Sequence, residues 1–211
     1  MSLLVDGTDN ASATILLAHG AGAPMDSDAM NAVTGALTAV GFKVARFEFR
    51  YMAERRQGGR KPPPKAELLQ DEYRYAIAEL GCDGPLIIGG QSMDGRVASM
   101  VADSQYDQGA IAGLLCRGYP FHPPAKPEQL RTAHLEYLNT PTMICQGTRD
   151  PFGTREEVAT YALSDRIEIL WLEDGDHDLK PRKKYSSFST EDHLATLASR
   201  TRDWAGRLIG P

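Results

Sequence analysis

Six short, continuous apolar runs constrain this chain more than any other feature: Thr14–Ala18, Val44–Phe49, Leu86–Ile88, Ala110–Leu115, Thr142–Cys145 and Ile167–Leu172. They are continuous rather than alternating, so they read as strands covered on both faces. Helical patterns lie between them. Met30, Val33, Leu37 and Val40 fall at helical spacing after Asp26 and Ser27, which can cap a helix, and Gly41 can end it. Leu69, Tyr73, Ala76 and Leu80 repeat the pattern up to Gly81, and Leu194, Leu197, Trp204 and Leu208 form a stripe within 191–208. Strand alternating with helix predicts an α/β fold, a mainly parallel sheet of about six strands with helices on both faces. A chain of 211 residues with no linker, repeat or low-complexity tract suits a single domain, 1–211. In such sheets the chemistry gathers at the carboxyl ends of the strands.

The loop after Leu86–Ile88 carries the sharpest signal. Gly89-Gly90-Gln91-Ser92-Met93-Asp94-Gly95 runs from an apolar strand through a lone serine into a helix-like segment. That is the shape of a nucleophile elbow, which holds a serine oxygen above the sheet edge over a helix N-terminus. The usual G-x-S-x-G pattern is broken at its fifth position, where Asp94 stands and glycine follows only at Gly95. A carboxylate there is expected to oppose an oxyanion and slow the chemistry, unless a cation such as Arg96 screens it.

Other strand ends supply partners. His19-Gly20-Ala21-Gly22-Ala23-Pro24 is a glycine-rich loop able to offer a backbone N–H to an oxyanion, with His19 read as structural. Gln146-Gly147-Thr148-Arg149-Asp150 places an acid after one strand, and Asp176-His177-Asp178 a histidine after the last. Ser92, Asp150 and His177 follow the chain order serine, acid, histidine of the α/β-hydrolases. Asp174, Asp176 and Asp178 remain alternative acids. Tyr119-Pro120-Phe121-His122-Pro123-Pro124 is expected to wall a small pocket, and residues 117–140 leave room only for a very short lid. His122 and His134 are open between site and surface, and His193 reads as structural.

Nine of the 23 Lys and Arg residues crowd two loops near the strand ends: Arg55, Arg56, Arg60, Lys61 and Lys65, then Lys180, Arg182, Lys183 and Lys184. In a chain of net charge −5 this reads either as a solvated surface or as attraction for an anionic substrate. The same net charge argues against nucleic acid as a partner. Cys82, Cys116 and Cys145 share no short spacing and cannot all pair, so reduced thiols in a cytoplasmic protein are expected and a zinc site is not. No apolar run has the length of a membrane span, and no secretory signal opens the sequence.

The chain resembles the small α/β-hydrolases related to dienelactone hydrolase. The resemblance rests on Leu16–Ser27, Gly89–Arg96, Tyr119–Pro124, Gln146–Gly153 and Gly175–Lys183. It implies Ser92 as nucleophile, Asp150 as acid and His177 as base, with backbone N–H groups near Ala21 and of Met93 as oxyanion donors. Gly20, Gly22, Tyr119, Phe121 and His122 are expected around the substrate. The expected activity is cleavage of a small ester or thioester, anionic on one of the two readings of the basic loops, through an acyl-enzyme on Ser92, with no metal or organic cofactor. Peptide cleavage is not separable from it by sequence, and the alternative is an inactive binding or scaffold domain on the same fold. The chain is also expected to lack the N-terminal antiparallel strands of larger relatives.

Overall fold

A computed structural model describes residues 1–59 and 62–210. In chain order the elements are β1 (Leu3–Asp6), β2 (Thr14–Ala18), α1 (Asp28–Ala39), β3 (Lys43–Phe47), α2 (Arg50–Arg56), a 3-10 turn (Ala66–Leu68), α3 (Gln70–Leu80), β4 (Leu86–Gln91) and α4 (Met93–Asp107). There follow β5 (Gly113–Arg117), β6 (Thr142–Gly147), α5 (Arg155–Val158), β7 (Ile167–Leu172) and α6 (Thr190–Ile209). Local chemistry sets several ends. Ser27 caps α1 by accepting from the Met30 N–H at 3.4 Å, and Gly81 takes the left-handed turn (φ 56°) that ends α3.

The seven strands pair in the order β1-β3-β2-β4-β5-β6-β7, parallel throughout except for β1. The sheet therefore has one strand more than the apolar runs predict. The extra strand is antiparallel, pairing Leu3 with Phe47 and Asp6 with Val44, contrary to the expectation that such strands are lacking. Its four residues are half-buried or exposed, so no apolar run announces it.

Alternate strand residues enter two cores. Leu16, Ile88 and Ile144 face a layer with Tyr73, Val97 and Val101, while Ile15, Ile87 and Met143 face one with Val33, Leu197 and Trp204. Helices α3 and α4 thus cover one face, and α1 and α6 the other. β7 departs from the expectation of double cover: it lies at the sheet edge and is mostly half-buried.

From β2 the chain moves outward to β3, then returns to lay β4 on the other side of β2. This reversal opens a crevice at the carboxyl ends of β2 and β4. Register brings Ala18 beside Gly90, so the loops that begin at His19 and Gln91 emerge together. No helix among the described residues is long and apolar enough to cross a membrane.

Candidate active site

Between β4 and α4, Ser92 adopts φ 54° and ψ −125°, a conformation costly for a residue with a side chain. Its amide donates to the Arg117 carbonyl at 3.0 Å. Glycines make the turn possible. A Cβ on Gly95 would lie 2.7 Å from the Gly90 carbonyl, and one on Gly90 would lie 3.0 Å from the Gly95 nitrogen. The helix thus passes close against the strand at Gly95. Asp94 fills the buried space next to it.

His177 Nε2 lies 2.8 Å from Ser92 Oγ, and His177 Nδ1 lies 2.8 Å from Asp150 Oδ2. The residues join from three loops, after β4, β6 and β7. Asp150 is fully buried, and its carboxylate also accepts from the Gln146 side-chain amide at 2.9 Å and the Phe152 N–H at 2.9 Å. The Phe152 ring covers the imidazole with centroids 4.2 Å apart. Among the described residues, the non-glycine residues with positive φ are Ser92, Asp174 and Leu179, so the unfavourable backbone sits at the serine and on both sides of His177.

The three aspartates near His177 in sequence hold its loop instead. Asp174 accepts from Arg182 and pairs with Arg149 at 2.9 Å, Asp176 accepts from the Asp178 and Lys180 N–H groups, and Asp178 accepts from Gln91 at 2.8 Å.

Asp94 is fully buried. Its Oδ2 accepts from the Gly20 N–H at 2.7 Å and lies 3.3 Å from His19 Nδ1, while Oδ1 has no partner among the described residues. Burial pushes its pKa up to about 6 against the opposing effects of His19 and the Gly20 N–H. Arg96 does not screen it, because that guanidinium pairs with Glu67 at 2.7 Å. The Phe49 N–H donates to His19 Nε2, so His19 carries its proton on Nδ1, next to the Gly20 carbonyl. The buried His19 is a structural group. With the Gly20 amide engaged, the Ala21 and Met93 amides are left without a hydrogen bond among the described residues, and both residues border the serine.

Two clefts flank Ser92. One, of about 510 Å³, is bordered by Met93, Arg96, Pro120 and Arg131; the other, of about 460 Å³, by Gly20, Gly22, Gln91 and His177. Ala21, Ser92 and Phe152 border both. Tyr119, Phe121 and His122, expected to wall the pocket, border neither. Tyr119 and Phe121 are fully buried with their tilted rings in contact, centroids 5.0 Å apart, and the ring of His122 turns to the Pro123 carbonyl. Only Pro120 of that segment reaches the cleft. His134 bonds Ser99 at 2.8 Å, with its pKa lowered to about 4 by burial and then by Arg96. His193 is buried against the Leu179 carbonyl at 2.7 Å.

Three residues of the two basic loops are paired with carboxylates: Arg56 with Glu48 and Asp26, Lys180 with Asp178, and Arg182 with Asp174. Arg55 bonds the Ala21 carbonyl at 3.0 Å, and Arg60 and Lys61 lie outside the described residues. The sequence reading missed Gln146 and Phe152, although both lie in the stretch that yielded Asp150. It also missed Arg131, which nothing local marks.

The family model for the alpha/beta hydrolase domain matches residues 11–206. The chain belongs to that family. Among solved structures, this α/β-hydrolase domain is similar to a dienelactone hydrolase from Anabaena variabilis, at 18% identity and a TM-score of 0.74 over 99% of this chain and 92% of the other. It is also similar to a lidless α/β serine hydrolase from Xanthomonas campestris, at 16% identity and a TM-score of 0.70 over 99% and 89%. An esterase domain from Rhodothermus marinus matches at 18% identity and a TM-score of 0.67 over the whole of both chains. At such identities these likenesses speak for the α/β-hydrolase fold.

Proposed function

We propose that this protein is a serine hydrolase that cleaves an ester or thioester of a small, anionic substrate through an acyl-enzyme on Ser92. The observation that supports the reading most is the unbroken chain of hydrogen bonds from Ser92 through His177 to the buried Asp150. In the first step Ser92 Oγ attacks the carbonyl carbon while its proton passes to His177 Nε2. Asp150 holds the ring and stabilises the imidazolium. The oxyanion is received by the Ala21 and Met93 amides, Met93 being at the N-terminus of α4. Collapse breaks the bond to the leaving alcohol or thiol, which takes the proton from His177. Water then attacks the acyl-enzyme carbonyl and gives a proton to the same nitrogen; the bond to Ser92 Oγ breaks, that oxygen takes the proton back from His177, and the acid is released. All reacting groups come from the protein and water, and the reading calls on no metal or organic cofactor. The three free cysteines fit a reducing compartment, and a cytoplasmic location goes with this reading.

A fluorophosphonate probe, read by intact mass, tests it. One adduct on the wild type and none on Ser92→Ala is the expected result. The Asp94 carboxylate near the elbow favours a second reading, a binding domain on the same fold, and a folded protein that takes no adduct would establish that one instead.

A further inference from the structure

Of the two clefts, the one bordered by His177 suits the leaving group better. The departing oxygen or sulfur must take its proton from His177 Nε2, and His177 borders the 460 Å³ cleft but not the 510 Å³ one. An acyl chain attached to Ser92 therefore extends into the 510 Å³ cleft. Lys65, Arg96 and Arg131 border that cleft, with Glu67 as the one carboxylate among the described residues. Arg96 gives one arm to Glu67 at 2.7 Å, while its buried Nε has no partner among the described residues. The Arg131 guanidinium has no hydrogen bond or ion pair among the described residues, although the residue is half-buried and its amide is fixed by the Phe121 carbonyl at 2.7 Å. Burial and the nearby Arg96 charge both lower its pKa, as expected of a cation awaiting a counter-ion. The leaving-group cleft differs: its Lys180 is already paired with Asp178 at 3.1 Å.

We propose that Arg131, with Arg96, forms a carboxylate subsite, so that the substrate is the ester or thioester of a short dicarboxylic acid whose free carboxylate lies in the acyl cleft. The proposal rests on the serine-hydrolase reading for which end of the substrate is which. Planar guanidinium groups match a carboxylate better than lysine does. Arg96 lies in the first turn of α4, its amide donating to the Ser92 carbonyl at 3.1 Å, so the subsite starts close to the nucleophile, which suits a short chain.

Two matched substrates test this: 4-nitrophenyl hydrogen adipate and its methyl ester, which differ only by the terminal charge. The wild type should prefer the charged ester in kcat/KM by at least about tenfold, the range of a hydrogen bond to a charged group. Arg131→Met should lower that ratio about ten- to hundredfold. Glu67→Gln, which frees Arg96, should raise it, and so provides a readout in the opposite direction should Arg131→Met fold poorly. Titrating the Ser92→Ala protein calorimetrically with monoethyl and diethyl adipate reads the subsite without turnover, and the monoester should bind more tightly. Equal handling of the charged and neutral partners in both assays overturns the subsite while leaving ester hydrolysis in place. An equal preference for 4-acetoxybenzoate, which carries its charge on the leaving group, overturns it as well. Discriminating binding with no turnover of either ester and no fluorophosphonate adduct keeps the anion subsite and removes the hydrolase reading.

Discussion

The Gly20 amide donates to the Asp94 carboxylate over 2.7 Å, tying the loop after β2 to the first turn of α4 across 74 residues of sequence. This contact gives Asp94 a purpose the sequence pattern hides. It uses the Gly20 N–H and leaves that of Ala21 without a hydrogen bond among the described residues. Its cost is a carboxylate buried with one oxygen unpartnered among the described residues.

That cost predicts a pH dependence of stability. The folded-state pKa of Asp94, about 6, lies above its ordinary 3.8, so the folded protein holds this proton more tightly than the unfolded chain. Stability from this group is greatest in acid and falls as pH rises from about 4 to about 6, by about 3 kcal/mol. Asp94→Asn keeps an acceptor for Gly20 and removes the titration. Urea unfolding between pH 4 and pH 7.5 should show the variant gaining on the wild type over that window. A constant difference between the two curves would assign the pH dependence elsewhere.

The same pair of residues predicts a rate effect with two separable parts. A carboxylate about 8 Å from the oxyanion at an effective dielectric of about 20 opposes it by roughly 2 kcal/mol, up to about thirtyfold. Asp94→Asn should therefore raise kcat/KM on a neutral ester at pH 8 and leave it nearly unchanged at pH 5, where the wild-type group is protonated. Asp94→Ala, which also releases Gly20, should be slower than Asp94→Asn at both pH values. If the two variants perform alike, the clamp on Gly20 contributes nothing to rate.

Much of this was legible because burial on both faces leaves a continuous apolar signature, and because glycines and a serine, acid and histidine follow the strands in a known order. What escaped did so for physical reasons. Run Ala110–Leu115 misplaces β5, which is Gly113–Arg117, since the buried Arg117 does not look like a core residue and Gly113 sits where a Cβ would press on Trp204 and Leu208 at 2.9 Å. Run Val44–Phe49 overruns β3 because Phe49 already belongs to the start of α2. Tyr119 and Phe121 look like pocket walls, but no local pattern says whether an aromatic after a strand turns outward or into the core. Arg96 and Arg131 come from different elements, and only the fold brings them to one cleft.

Gly118, just past β5, has φ 59°, and a Cβ there would lie 2.5 Å from the His177 carbonyl and 3.2 Å from His177 Nδ1. Gly118→Ala should push the imidazole away from Ser92 and lower kcat/KM about a hundredfold, as expected when a reacting group moves by about 1 Å. Gly41→Ala is the control. It carries similar backbone strain (φ 98°) but meets no atom within 4 Å, so it should lose some stability and keep its rate. Equal losses of rate in the two would mean that strain, and not contact with His177, governs the result.

Gln146 holds the acid in place. Its oxygen accepts from the Tyr119 N–H at 2.7 Å, and its amide reaches Asp150 Oδ2 at 2.9 Å and the Tyr119 carbonyl at 3.2 Å. The side chain is fully buried, so Gln146→Leu strands a backbone donor and one lone pair of a buried carboxylate. Each stranded group costs about 1–3 kcal/mol, and unfolding should shift by the sum of two such penalties. Gln146→Glu is close to isosteric but sets a second carboxylate against Asp150, whose repulsion is relieved when the new group is protonated. Its kcat/KM relative to wild type should therefore recover as pH falls toward 5, whereas that of Gln146→Leu should stay low throughout. Measured under conditions where circular dichroism shows both variants folded, a flat ratio for Gln146→Glu would mean that Gln146 supports the fold of this loop without setting the charge at Asp150.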